Sequence, residues 1–86
     1  MSQYAITFAR SARKELESLD AVIVQRVFRK IEALADSPRP QGCRKLTGYK
    51  NEWRIRVGDY RVIYSVYEDE NRIDIVAVRH RRHAYL

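Results

Sequence analysis

Cysteine occurs only once in this chain, at Cys43, and proline only at Pro38 and Pro40. One thiol cannot close an internal disulfide, and no Cys-x-x-Cys or Cys/His spacing surrounds it. A disulfide scaffold and a zinc module are therefore both excluded. No HExxH pattern or paired-carboxylate motif is present either, so neither a metal nor another cofactor is expected. Long hydrophobic runs are missing as well: nothing approaches the ~20 apolar residues of a membrane span. The opening MSQYAITFARSARKEL lacks the apolar core of a secretory signal. These absences together lead us to expect a protein of the reducing cytoplasm. Acid is in short supply too, with 11 Asp and Glu against 17 Lys and Arg and a net charge of +6. On so small a body that excess attracts polyanions, which favours RNA, DNA or an acidic protein as partner.

What is present reads as one domain spanning residues 1–86, with 45% apolar residues to build a modest core. Tyr4, Ile6 and Phe8 alternate as a short strand does. Ser11 is placed to cap a helix reaching Leu19, along which Ala12, Leu16 and Leu19 recur at helical spacing. Asp20 is placed to cap a second, longer helix. Its apolar stripe is Val24, Val27, Phe28, Ile31 and Leu34, and Pro38 and Pro40 end the helical region. From Trp53 the period falls to two. Gly58-Asp59 supplies a hairpin turn, Tyr60 to Tyr67 forms the returning strand, and Arg72 to Val78 forms the last. The expected fold is α+β in the order β-α-α-β-β-β: a small antiparallel sheet with the two N-terminal helices on one face.

The turn sets a register. Pairing Val57 with Tyr60 puts Arg56 opposite Arg61, Ile55 opposite Val62 and Trp53 opposite Tyr64. One face becomes an apolar floor and the other carries Arg54, Arg56 and Arg61. Like charges directly opposite repel, an arrangement expected where an anion sits between them. A four-residue loop at 68–71 then pairs Val66 with Ile73, Tyr64 with Ile75 and Val62 with Ala77, leaving Val78 beside Arg61. The tail VRHRRHAYL at 78–86 would leave the sheet where the hairpin arginines project.

Arginine forks match phosphate oxygens and hold their proton, so they bind and stabilise charge without carrying protons. Proton carriers must come from His80, His83 or Tyr85. His80 serves equally well as a backbone cap. Such an inventory suits metal-free RNA cleavage, in which the ribose 2′-hydroxyl attacks its neighbouring phosphate. Tyr85 could instead stack on a base. A non-catalytic RNA-binding domain fits the same residues.

KLTG at 45–48, EWRIRVGDYRVIYSV at 52–66 and VRHRRHAY at 78–85 resemble the RelE branch of the RelE/ParE toxin superfamily, over nearly the whole chain. The resemblance implies a small microbial-RNase-like fold, cleavage of messenger RNA in the ribosomal A site and inhibition by a cognate antitoxin. By resemblance Arg54 and Arg56 are the basic positions of the first hairpin strand, and Arg61 is the hairpin arginine. Arg81 stabilises the phosphate transition state or leaving group, and Tyr85 acts as base or stacks a codon base. With His83, these make Arg61, Arg81, Tyr85 and His83 the catalytic candidates. Arg54, Arg56, Lys45, Lys50, Arg79, His80 and Arg82 are the candidate phosphate-binding set. An antitoxin segment with acidic and apolar residues would complement this surface and the outer edge of the Val24–Leu34 stripe. The superfamily also implies an alternative, a ParE-like inhibitor of DNA gyrase without chemistry of its own.

Overall fold

The structure is a computed structural model and describes residues 3–48 and 51–83. In chain order its elements are β1 (Ala5–Phe8), α1 (Arg10–Glu17), α2 (Ala21–Leu34), β2 (Arg44–Lys45), β3 (Glu52–Val57), β4 (Tyr60–Tyr67) and β5 (Arg72–His80). Single 3-10 turns follow β4 at Glu68–Glu70 and β5 at Arg81–His83. The strands form one five-stranded sheet in the order β1-β5-β4-β3-β2. No helix among the described residues is long and apolar enough to cross a membrane.

The two helices lie on one sheet face, as the amphipathic stripes require. Val27, Ile31 and Leu34 of α2 are buried, with Ala12 and Leu16 of α1, against Ile55, Val62, Tyr64, Ile73 and Ile75. Burying each large aliphatic contributes about 1.5–3 kcal/mol. Phe28 stands at the rim of the stripe, 41% exposed, its ring stacked on Phe8 at 6.5 Å. Trp53 packs against the core, with the Arg39 guanidinium 5.1 Å above its ring. Both helices start close to their expected positions. However, α1 is capped by Ala9 rather than Ser11, and the Asp20 side chain makes no cap hydrogen bond at α2. The bond from the Ala9 N–H to the Ile75 carbonyl carries the chain straight out of the sheet into α1.

The sheet departs from expectation in two ways. It is mixed, because β1 runs parallel to β5, pairing Ala5 with Arg72 through Phe8 with Ile75. The long connection that parallel strands need is the rest of the chain between them, both helices and then β2, β3 and β4. It also has an extra edge strand, since β2 pairs Arg44 with Arg54 and Lys45 with Trp53.

Candidate nucleic-acid interface

The β3–β4 hairpin forms in the expected register, with Val57 opposite Tyr60 and Arg56 opposite Arg61. Gly58 has φ +61°, the positive value that the first position of a type II′ turn needs and that only glycine adopts without cost. Pairing of β4 with β5 starts as expected, with Val66 opposite Ile73 and Tyr64 opposite Ile75. Beyond that point the register shifts: Ile63 faces Ala77, Val62 faces Val78 and Arg61 faces Arg79. The expected pairs Val62–Ala77 and Arg61–Val78 are therefore corrected by a β-bulge that takes up Val76. The bulge lies where β1 has just ended at Phe8. It puts Val78, 2% exposed, beside Val62 on the helix side and re-aims Arg79 to the position across from Arg61.

The sheet face turned away from the helices therefore carries a run of like-charged pairs: Arg44 with Arg54, Arg56 with Arg61, and Arg61 with Arg79. These residues are not equivalent. Arg61 on the middle strand is buried, 6% exposed, although as a hairpin arginine it was expected to project. Strands on both sides and the neighbouring side chains enclose it. Arg54 is half-buried, and Arg56 and Arg44 are exposed. Arg79 turns its guanidinium over the strand edge, where Nε meets the Glu15 carboxylate at 3.2 Å. The other Glu15 oxygen accepts the Val78 main-chain N–H at 2.9 Å. Some arginines elsewhere have acid partners: Arg13 pairs with Glu17, Arg39 with Glu68, and Arg72 with Glu70 and Asp74. Among the described residues, none of Arg44, Arg54 and Arg56 has a carboxylate within ion-pair distance.

The tail is attached at the hairpin tip. The Arg81 N–H donates to the Asp59 carbonyl at 2.7 Å, which places the Arg81–His83 turn beside the end carrying Arg56 and Arg61. Arg81 and Arg82 are both exposed. His80 pairs with Tyr60 on the helix side, with its ring edge-on to Tyr60 at 5.3 Å. Its Nδ1 accepts the Arg82 N–H at 3.3 Å, so it acts as a local backbone cap. Together with Tyr60, Glu15 and Arg79 it lines a cleft of about 580 Å³ at the end of α1.

Structure thus brings Arg54, Arg56 and Arg61 onto one face and the Arg81 backbone to its end. Arg79 and His80 are turned toward α1. Lys45 pairs with Trp53, so it stands on the other face and outside the arginine run. Lys50 and Tyr85 lie outside the described residues. Among the described residues no group of three His, Cys, Asp or Glu side chains is disposed to hold a metal ion. Two residues escaped sequence reasoning. Arg44 sits in a strand of two residues, too short to show a period. Glu15 reads as an ordinary helix-surface charge.

Fold and site define a class: a small two-helix α+β domain whose open sheet face is lined by paired arginines. Residues 6–85 match the family described as the ParE toxin of type II toxin–antitoxin systems. An Escherichia coli protein described as a RelE-like toxin is 32% identical over 81 residues, 92% of this chain and 84% of that protein. A chain in the crystal structure of the archaeal RelE–RelB complex from Pyrococcus horikoshii superposes with a TM-score of 0.82 at 31% identity, over 95% of this chain and 99% of that one. The isolated E. coli RelE toxin shares the fold, with a TM-score of 0.80 at 24% identity over 90% and 83% of the two chains. The protein belongs to the RelE branch of the RelE/ParE superfamily, the toxins of type II toxin–antitoxin systems.

Proposed function

We propose that this toxin is a metal-free endoribonuclease that cuts messenger RNA in the ribosomal A site. The observation that carries this reading is the Arg56–Arg61 pair with the Arg81 backbone tied to the hairpin tip beside it. Arg56 and the Arg81 turn can flank one phosphate, with the charge of the buried Arg61 beneath it. In the reaction a base removes the 2′-hydroxyl proton and the 2′-oxygen attacks the adjacent phosphorus. The bond to the 5′-oxygen breaks and that oxygen takes up a proton. Arg81 stabilises the extra charge of the crowded phosphorane, to which the buried Arg61 adds its positive charge from within the sheet, while Arg54 and Arg56 hold the flanking backbone. The proton carriers are assigned to Tyr85 and His83, with Tyr85 also able to stack on a codon base.

An antitoxin partner is inferred from the complex in which the Pyrococcus relative is found. Its complement to this chain is an acidic, partly apolar segment that masks the arginines. The substrate places the toxin in the compartment that holds ribosomes, the cytoplasm.

Purified toxin, ribosomes programmed with a defined message, and primer extension test the reading. Arg81→Ala and Tyr85→Phe should each abolish most cleavage while the protein stays folded. Unchanged cleavage in both variants refutes the assigned roles. The match to a family described by its ParE toxin supports one other reading, a gyrase inhibitor. Growth arrest with DNA damage, intact messages and indifference to both substitutions would favour it.

A further inference from the structure

The arginine run does not stop at the hairpin. β2 adds one more member on the same face, because Arg44 is the cross-strand partner of Arg54. Residues directly opposite in a sheet share a face, and successive residues on one strand alternate. Arg44 therefore stands with Arg54, whereas Lys45, its neighbour, stands with Trp53 on the helix side. We propose that Arg44 forms an outer phosphate subsite, a continuation of the path from Arg61 through Arg56 and Arg54, which holds the RNA backbone at a nucleotide beyond the scissile linkage.

Three observations carry this. First, Arg44, Arg54 and Arg56 have no carboxylate partner among the described residues, whereas Arg13, Arg39, Arg72 and Arg79 each have one. Second, Arg44 opposite Arg54 repeats the unfavourable like-charge pairing of Arg56 with Arg61. Two such pairs on one face cost stability unless an anion bridges each. Third, the geometry suits a chain of phosphates rather than one. Neighbouring strands are ~4.8 Å apart and alternate residues along a strand ~6.8 Å apart, so Arg61, Arg56, Arg54 and Arg44 step diagonally across the sheet. Each step is comparable with the repeat of an extended nucleotide strand. An isolated anion beside Arg56 would leave the Arg44–Arg54 pair unbridged. A single-stranded RNA can bridge both pairs.

This inference rests on the RNA-cleaving reading but is tested separately from it. Arg44→Ser and Lys45→Ser each remove one positive charge, one residue apart, from an exposed two-residue edge strand. A long-range field would respond equally to both. A subsite responds to Arg44 alone. Binding is measured by fluorescence anisotropy with a labelled single-stranded oligoribonucleotide made uncleavable by 2′-O-methyl sugars, over a range of salt concentrations. Arg44→Ser should weaken binding about fivefold or more and reduce the slope of log affinity against log salt by ~0.7, the loss of one phosphate contact. Lys45→Ser should leave the slope as it is. Equal effects of the two substitutions, or no change of slope in Arg44→Ser, overturn the subsite. Primer extension on programmed ribosomes reports the cleavage reading independently. If the unaltered toxin cuts the message and Arg44→Ser binds and cuts as well as it does, the subsite fails and the cleavage reading stands. If the unaltered toxin does not cut while the binding contrast holds, the cleavage reading fails and the subsite stands.

Discussion

The Glu15 carboxylate accepts the main-chain N–H of Val78 at 2.9 Å, beyond the point where β1 has ended. One side chain of α1 thereby takes over from a strand and fastens the last residues of β5, from which the tail departs. Its second oxygen holds Arg79 at 3.2 Å, which draws that guanidinium away from Arg61 and eases their repulsion.

Glu15→Ala should consequently lower the unfolding free energy by about 1–3 kcal/mol, the range for leaving a part-buried donor unmet. Glu15→Gln should cost less, because its amide oxygen still accepts from Val78. Urea denaturation of the two variants checks the order. Equal losses would mean that the ion pair with Arg79, not the bond to Val78, is the part that matters.

At the hairpin tip Gly58 holds φ +61°. A Cβ there would meet no atom within 4 Å, so the cost of Gly58→Ala is conformational alone, about 1–2 kcal/mol. Asn tolerates the left-handed region better, and Gly58→Asn should lose less. Melting temperatures measure both. RNA cleavage should fall further in the alanine variant, since the Asp59 carbonyl that holds Arg81 belongs to this turn.

Arg56 opposite Arg61 sets binding against stability. Arg56→Thr removes a like-charge pair and adds a good strand former. The variant should gain some tenths of a kcal/mol while losing affinity for single-stranded RNA. Denaturation and anisotropy on the same preparation test this, and a variant that loses stability contradicts it.

Tyr64 is fully buried, and its hydroxyl donates to the Pro38 carbonyl at 2.7 Å. Burial, with the nearby Cys43 thiol adding to it, pushes the phenol's pKa well above its ordinary value. The folded form therefore keeps its proton longer than the unfolded one. Stability from this group is complete below the unfolded value of about 10 and falls as pH rises through and past it. An alkaline absorbance titration should show one tyrosine ionising only with unfolding. In Tyr64→Phe that late ionisation should vanish, at a cost of about 1 kcal/mol for the lost hydrogen bond.

Sequence alone determined the local pattern. The period-two alternation from Trp53 to Tyr67 and the Gly58-Asp59 turn define a hairpin whose register needs no other information, because turn geometry and side-chain alternation leave one pairing. Arg56 opposite Arg61 follows from that. The helical stripes through Leu16 and Ile31 likewise specify which faces must be covered.

Tertiary structure decided where those local pieces stop agreeing with one another. Nothing in the residues of β5 marks a bulge at Val76. It arises where the parallel partner ends and the core takes Val78 in place of Ala77, and it moves Arg79 across from Arg61. The face of Arg44, the burial of Arg61 and the grip of Glu15 on Val78 are contacts between segments far apart in the chain. A spacing rule reads neighbours along the backbone, and these were set by what the folded sheet placed beside them.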